Sequence, residues 1–298
     1  MEEAALRSRR RAEQTAAGLP PLLVAAQRVA ATVLQGVHGR RQAGPGETFW
    51  QFRRYQPGDP AALIDWRQSA KSQPVYIREQ EWEAAQSVWL WRDGSASMHY
   101  RSKGIADTKG ARAEILLLAV AALMLRAGEQ VALLGLGRTP VRGTAALSRL
   151  ADNLVLTNGA AADGDGLPGR AFLPRNAQIV LIGDFLAPLD QTDAVVKWFV
   201  GAGINGHMLQ VLDPAEETLP FTGRARFTGL EAEGSTVIGR VDSVRGDYTA
   251  RLAAHRDGLV TIARSAGWSF LSHRTDHPPE AALLALYLAL SGHFGRRR

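Results

Sequence analysis

The sequence predicts an α/β protein built on a doubly wound, mostly parallel β-sheet. After Ser87, apolar segments of strand length alternate with segments of helical periodicity, which is the order that parallel sheets require. The helix expected from Asp107 or Thr108 to Arg126 is apolar nearly all round, as suits a helix that packs against a sheet. With 298 residues, 46% of them hydrophobic, the chain can bury a sizeable core.

The first third of the chain differs in composition from the rest. Residues 1–35 are predicted to be an N-terminal helical segment, and its second piece, from Leu22 to Leu34, has the apolar spacing of a docking helix. Residues 36–86 are rich in glycine, proline and aromatic residues, which favour short strands and tight turns, with one strand from Pro74 to Glu79. We therefore expect a helix and a β-rich N-terminal extension ahead of the main domain.

The main domain is expected to span residues 87–290, with a basic tail at 291–298. Its expected strands are Ser87–Arg92, Gln130–Gly135, Gln178–Gly183, His207–Leu212 and Trp268–Ser272. Its expected helices are Thr108–Arg126, Thr144–Leu154, Thr192–Ala202, Asp247–Ala266 and Glu280–Leu290. A β-hairpin insertion is expected between Arg224 and Val241.

Composition limits the partners and the location of the chain. There is no cysteine, so a metal ion would have to be held by oxygen or imidazole ligands. The longest apolar run, Ile115 to Leu125, is far shorter than the roughly 20 residues of a membrane span, and no secretory signal is recognisable, so we expect a cytoplasmic protein. The net charge of +6 is carried mainly by arginine, with lysine only at positions 71, 103, 109 and 197. No aromatic stripe or zinc-finger spacing accompanies these arginines, so no nucleic-acid partner is expected.

Oxygen-bearing side chains follow two of the predicted strands. Asp93-Gly94-Ser95-Ala96-Ser97 is a DxSxS run directly after the first strand of the main domain, and Asp184 directly follows Gln178–Gly183. If these strands are neighbours in a parallel sheet, their carboxyl ends bring the side chains to one point. Carboxylates and hydroxyls are suitable ligands for Mg²⁺ or Mn²⁺. Each residue alone is also an ordinary turn or capping residue, so the prediction depends on the combination.

The DGSASM run after a strand, with a later strand ending in Asp184, resembles the metal-ion-dependent adhesion site of von Willebrand factor A-type domains. More specific are the stretches from Phe52 to Pro60, FRRYQPGDP, and from Ile64 to Ala70, IDWRQSA, which resemble the signature of a bacterial family called domain of unknown function 58. The resemblance covers residues 36–290. It implies a sheet of von Willebrand factor A type.

The resemblance also implies roles for particular residues. The metal ligands it implies are Asp93, Ser95, Ser97, Asp184 and, as the threonine of the site, Thr144, with Thr157 as the alternative. Members of the family resemble adaptors encoded beside MoxR-type AAA+ ATPases, which are thought to assemble or activate protein complexes. We hypothesise that an acidic side chain of a protein partner completes the metal shell.

An enzyme would need residues that this sequence lacks. Aspartate phosphotransferases carry DxDx[TV], whereas Ser95 stands at the second acidic position. Neither a GxSxG elbow nor a GxxxxGK[ST] loop occurs. We therefore expect a non-enzymatic, divalent-cation-dependent protein-binding adaptor. The alternative is a metal-dependent phosphate or ester hydrolase that uses Asp93, Ser95 and Asp184.

Two further features have ordinary structural interpretations. Trp66 is expected to be a core anchor of the β-rich extension. His273 and His277 have the i, i+4 spacing of some zinc sites, but Pro278 and Pro279 follow directly and the glutamate of an HExxH motif is missing. Both histidines are therefore expected in a loop.

Overall fold

A computed structural model describes residues 26–34, 49–55, 64, 66–71, 74–80, 87–135, 139–143, 146–157, 166–230 and 234–295. The chain forms two units, one of Arg41–Ala85 and the other of Met1–Arg40 with Gln86–Arg298. The helices are α1 (26–34), α2 (Trp66–Ser69), α3 (Lys109–Arg126), α4 (Ala146–Thr157), α5 (Leu189–Gly201), α6 (Pro214–Thr218), α7 (Val241–Ser265) and α8 (Pro279–Gly295). The strands are β1 (Phe49–Arg54), β2 (Tyr76–Gln80), β3 (Ser87–Arg92), β4 (Gln130–Leu133), β5 (Gln178–Gly183), β6 (Asn205–Leu212), β7 (Ala225–Thr228), β8 (Ser235–Ile238) and β9 (Ser269–Arg274).

In the smaller unit, β1 and β2 pair in an antiparallel ladder. The short helix α2 is joined to this ladder because the backbone N–H of Tyr76 donates to the Ser69 hydroxyl at 2.8 Å. Trp66, at the start of α2, is 68% exposed. The prediction that Trp66 is a core anchor is therefore wrong.

In the larger unit, the order of the five-stranded sheet is β4-β3-β5-β6-β9, and every neighbouring pair is parallel. All six residues of β5 are buried, as is usual for a central strand covered on both faces. The predicted bounds of β3 and β5 coincide with the observed ones. The prediction of an α/β protein with a mostly parallel sheet is confirmed.

Helices cover both faces of this sheet. The alternation of side chains along each strand sends Val88 and Leu90 into one core and Trp89 into the other. The first core also contains buried residues of α1, α3, α4 and α8, and the second contains buried residues of α5 and α7. The sheet is therefore wound on both sides, which leaves the carboxyl ends of its strands as the natural place for a site.

Three elements at the C-terminal side bear on the predictions. The hairpin expected between Arg224 and Val241 is present as β7 and β8, which pair in antiparallel fashion. The short helix α6 was not predicted. His273 lies within β9 and is buried, so the loop prediction is wrong for that residue, whereas His277 follows in the turn before α8. Of the helices described, none has the length and apolar character that crossing a bilayer demands.

Candidate functional site

The turn after β3 folds around the carboxylate of Asp93. The backbone N–H of Asp93 donates to the Ile182 carbonyl at 2.8 Å, which extends the pairing with β5 by one residue. Asp93 Oδ1 then accepts the backbone N–H of Ser95 at 2.8 Å, the side-chain-to-backbone bond that aspartate favours in turns. As a result, the Ser95 and Ser97 hydroxyl oxygens lie 3.0 Å apart.

Asp184, at the end of β5, meets this turn. The Ser97 hydroxyl donates to Asp184 Oδ2 at 2.5 Å, while Asp184 Oδ1 accepts the backbone N–H of Leu186 at 3.3 Å. Asp93, Ser95 and Asp184 are buried. The structure therefore brings four of the predicted site residues together, because β3 and β5 are neighbours in the sheet. Thr144 lies outside the described residues, and Thr157 is the last residue of α4.

Two glycines allow Asp93 to sit in this position. A Cβ atom on Gly183 would lie 2.8 Å from Asp93 Cβ, and a Cβ atom on Gly166 would lie 3.3 Å from Asp93 Oδ2. Gly166 also has a φ of +68°, a backbone conformation that side chains disfavour. Both positions therefore need glycine if the Asp93 carboxylate is to keep its place.

The backbone just after Asp184 is strained. Phe185 has a φ of +50°, which is rare for a bulky residue, yet its side chain is fully buried. Gln210 donates to the Asp184 carbonyl at 2.9 Å, and Nε2 of His255 lies 2.7 Å from the Phe185 carbonyl oxygen. Several contacts thus hold a conformation that the chain alone would not favour, and strain of this kind is concentrated at functional sites.

A lysine that sequence analysis did not assign to the site lies within it. Thr108 caps α3 by accepting the backbone N–H of Ala111 at 3.1 Å, which places Lys109 in the first turn of the helix. Lys109 Nζ lies 2.8 Å from Asp184 Oδ2 and 2.6 Å from Glu216 Oε1, and its side chain is fully buried. Burial lowers the pKa of Lys109, but the two carboxylates outweigh this effect and raise it, so the group is an ammonium ion.

Glu216 belongs to the unpredicted helix α6, which begins directly after β6. Asp213 caps this helix, accepting the Ala215 N–H at 2.8 Å, and Glu216 Oε2 in turn accepts the Asp213 N–H at 2.8 Å. Asp213 Oδ2 also accepts the N–H of Ser102 at 2.9 Å, which ties the β3–α3 connection to β6. The Asp-Pro-x-Glu pattern of residues 213–216 is a capping box with proline at the first helical position, a signal present in the sequence.

The charges of the site do not balance. With all groups ionised, the two carboxylates of Asp184 and Glu216 face one ammonium group, that of Lys109, so these three groups carry a net charge of −1. Burial raises the pKa of Glu216, and Lys109 opposes this rise. An excess of buried negative charge is costly unless a cation or a partner compensates for it.

The oxygen atoms of the site fit a small divalent cation. In an octahedral shell with bonds of about 2.1 Å, adjacent ligand oxygens lie about 3.0 Å apart, and the Ser95 and Ser97 hydroxyls have this separation. Among the described residues, no group of three or more acidic or histidine side chains is arranged to hold a metal. The hydroxyls of the DxSxS run would therefore have to be ligands, with Asp93 and Asp184 balancing the charge. Lys109 shares Asp184 with any such cation.

A cavity of about 790 Å³ adjoins the site, within the size range of ligand pockets. Ser97, Asp184 and Glu216 line its polar end. Its apolar lining includes Leu186, Pro188, Leu219, Phe221, Phe227 and Leu230. Arg226 of β7, which is exposed, lines it as well. The cavity therefore combines apolar walls with a charged end that contains the Ser97 hydroxyl.

The chain is similar to several proteins whose names state no activity. The chain is 27% identical to an uncharacterized protein of Mycobacterium bovis, over 82% of this chain and 80% of that protein, and equally so to an uncharacterized protein of Mycobacterium tuberculosis. Among solved structures, the conserved hypothetical protein BatB from Bacteroides thetaiotaomicron is 13% identical, with a TM-score of 0.39, over 70% of this chain and 98% of that one. An uncharacterized membrane spanning protein from Vibrio fischeri is 14% identical, with a TM-score of 0.18 and the same coverage.

The family described as "Protein of unknown function DUF58" matches residues 51–258, a span that includes most of β1, the DxSxS turn, Asp184 and α6. This span is more than half of the chain and contains every residue that contributes a described contact to the site. The chain therefore belongs to the DUF58 family.

Proposed function

We propose that this protein is a non-enzymatic adaptor that binds a protein partner through a divalent cation, Mg²⁺ or Mn²⁺, on a sheet of von Willebrand factor A type. The observation that carries the proposal is the convergence of Ser95, Ser97 and Asp184, with separations of 3.0 and 2.5 Å, where Ser97 and Asp184 line the cavity. Ser95 and Ser97 would bind the cation directly. Asp93 and Asp184 would balance its charge.

Charge explains why the partner would use an acidic side chain and why it would need the cation. Without a metal ion, the net negative charge of Asp184, Glu216 and Lys109 repels a carboxylate. A bound divalent cation cancels this charge and supplies an open coordination position for an acidic ligand. Partner binding would thus depend on the cation. Without the cation, the site would not bind the carboxylate of the partner.

The cavity supports the same proposal and adds a requirement for the partner. The walls around Phe221 and Phe227, whose rings meet edge to face at 5.7 Å between centroids, suit an apolar side chain next to the acidic one. Arg226 on β7 offers a further contact for negative charge. A partner segment with an acidic residue beside a bulky apolar residue would contact both the charged end and the apolar walls of the cavity.

The hydrolase alternative has less support in the geometry. The Ser97 hydroxyl donates to Asp184, but Asp184 Oδ2 also accepts the Lys109 ammonium, so this oxygen is already engaged by a buried cation. Among the described residues that line the cavity there is no histidine to relay a proton. The proposal also includes a MoxR-type AAA+ ATPase as the partner, which rests on the family resemblance, and the cytoplasm as the location, which rests on the hydropathy of the sequence.

Isothermal titration calorimetry with Mg²⁺ and Mn²⁺ tests the cation. Replacing Asp93→Asn removes one negative charge while keeping the shape of the side chain, so affinity should fall at least about tenfold. Asp152→Asn, which removes an exposed carboxylate of α4, is the matched control and should bind like the wild type. If the wild type binds neither metal, or the Asp93 variant binds as well as the wild type, the cation claim is wrong.

A second assay separates the adaptor from the hydrolase. Purified protein with Mg²⁺ is incubated with generic phosphate monoesters and carboxylic esters, and the Ser95→Ala variant is run in parallel. The adaptor proposal predicts no turnover by either protein. Turnover by the wild type that is lost with Ser95→Ala would establish the hydrolase instead.

A further inference from the structure

Lys109 contacts Asp184 Oδ2, the same carboxylate oxygen that would balance the charge of a cation at the DxSxS turn. Asp184 Oδ2 accepts both the Ser97 hydroxyl at 2.5 Å and the Lys109 ammonium at 2.8 Å. The lysine is fully buried, and its other carboxylate contact is Glu216, at 2.6 Å. A buried ammonium in contact with a ligand carboxylate reduces the attraction of that carboxylate for any second cation.

We propose that Lys109 is an internal cation that competes with the divalent metal for Asp184, so that the site has two states. In the metal-free state Lys109 bridges Asp184 and Glu216 and keeps the carboxylates compatible with a folded site. In the metal-bound state the pair between Lys109 and Asp184 lengthens, and Glu216 retains the ammonium group. This inference rests on the proposed cation site, and it adds a built-in limit on the affinity of that site.

Glu216 has a defined part in this exchange. Its carboxylate is fixed from the opposite side by the N–H of Asp213 at 2.8 Å, as part of the capping box of α6. It therefore offers Lys109 a partner that does not depend on the metal site. Because Glu216 also lines the cavity, a partner in the cavity would lie next to the carboxylate that receives the lysine. Metal binding and cavity binding would thus be linked through one side chain.

Two variants separate competition from net charge. Lys109→Met keeps the length of the side chain and removes its charge, which changes the net charge of Asp184, Glu216 and residue 109 from −1 to −2. The double variant Lys109→Met with Glu216→Gln also removes the competitor but restores the net charge of −1. Lys197→Met is the matched control, since Lys197 is an exposed lysine on α5 paired only with Asp193 among its described ion pairs.

The experiment is calorimetric titration of each folded variant with Mg²⁺ and Mn²⁺, with near-ultraviolet circular dichroism as the check of folding. Competition predicts that Lys109→Met binds Mg²⁺ at least about tenfold more tightly than the wild type. The double variant should also bind more tightly, by about threefold or more, because Asp184 is released although the net charge is unchanged. Lys197→Met should match the wild type. If Lys109→Met does not fold, the double variant carries the test, because it leaves fewer unpaired buried carboxylates.

The outcomes distinguish this inference from the proposed function. If the wild type binds metal and neither Lys109 variant binds it more tightly, competition is wrong and Lys109 is only a positioning residue for Asp184. If the wild type binds no metal but a Lys109 variant does, competition stands in its strongest form and the cation-dependent function of the native protein fails. If no variant binds metal, both are wrong.

Discussion

Two buried cations in the first turn of α3, Lys109 and Arg112, have opposite surroundings. The N-terminus of a helix disfavours positive charge, so each cation needs compensation from elsewhere in the fold. Lys109 faces the two carboxylates of Asp184 and Glu216, so this cluster has more carboxylates than cations. It also opens into the cavity, since both of its carboxylate partners line the wall.

The Arg112 cluster is balanced and largely closed. Arg112 pairs with Asp107, with NH2 3.0 Å from the carboxylate, and NH1 donates to the His277 carbonyl at 2.7 Å. NH1 also lies 3.3 Å from Nε2 of His273, which must accept because a guanidinium only donates. Burial and, to a smaller extent, the charge of Arg112 lower the pKa of His273 to about 4, so the imidazole is neutral at pH 7.

The difference teaches how to tell a structural ion cluster from a candidate binding site. At Arg112, one carboxylate meets one guanidinium, and the remaining N–H groups find neutral acceptors. At Lys109, two carboxylates meet one ammonium beside an open cavity, so an added cation would reduce the cost of the excess negative charge. Arg112 should therefore matter for stability alone, and Lys109 for ligand binding as well.

The largest expected effect is the loss of stability when Arg112 is replaced. Replacing Arg112→Met leaves Asp107 and the His277 carbonyl without their partner, which should lower the free energy of unfolding by about 4 kcal/mol. Urea unfolding followed by circular dichroism measures this change. The Mg²⁺ affinity of the folded variant should stay within about twofold of the wild type, because no described contact links Arg112 to Asp184.

The contrast between the Lys109 and Arg112 clusters would be wrong if Arg112→Met increased the Mg²⁺ affinity as Lys109→Met is expected to do. Such a result would mean that any positive charge at the start of α3 opposes the metal through space. The contact of Lys109 with Asp184 would then have no special part.

The second-largest expected effect is a dependence of protein stability on pH that originates in His273. The folded pKa of about 4 lies below the ordinary value of 6.5, so the folded state favours the neutral ring. The contribution of the neutral His273 ring to the free energy of unfolding is complete above pH 6.5. It is lost as the pH falls from 6.5 to 4, and the total loss is about 3 kcal/mol. Urea unfolding at a series of pH values should show this loss in the wild type and a smaller loss in His273→Gln.

His277→Gln is the matched control for that experiment. His277 lies four residues further on, and its ring is largely exposed, so its replacement should leave most of the pH dependence in place. Equal slopes for His273→Gln and the wild type between pH 6.5 and 4 would show that the Arg112 cluster does not hold a neutral histidine.

The smallest effect concerns Tyr248, which borders the Lys109 cluster. Its hydroxyl donates to the Glu216 carbonyl at 2.6 Å and is part buried. Replacing Tyr248→Phe should cost about 1 kcal/mol of stability, the usual contribution of one hydrogen bond. Glu216 keeps its contacts with Lys109 and Asp213, so Mg²⁺ affinity should not change. A large change in Mg²⁺ affinity would mean that Tyr248, rather than the cap of α6, sets the position of Glu216.

The elements that could be predicted from the sequence are those with strong local patterns. The apolar runs of β3 and β5 predict their own bounds, and the polar residues that follow each run, Asp93 and Asp184, are visible in the sequence. The short helix α6 is not predicted by the sequence pattern because five residues are too few to show helical periodicity, although its capping box is present. His273 was placed in a loop because the two prolines at 278 and 279 outweighed the strand pattern before them, whereas pairing with β6 decides its conformation.

By itself, the sequence determined the alternation of strands and helices, and with it the DxSxS turn and Asp184 at the carboxyl edge of a parallel sheet. These follow from hydrophobic periodicity and turn chemistry, which act over short stretches of chain. Only the tertiary structure decided that Lys109 and Glu216, which are 107 residues apart, complete the same site. Ion pairs between distant residues have no local signature, so the charge balance of the site, and the competition inferred from it, could be recognised only once the strands were in order.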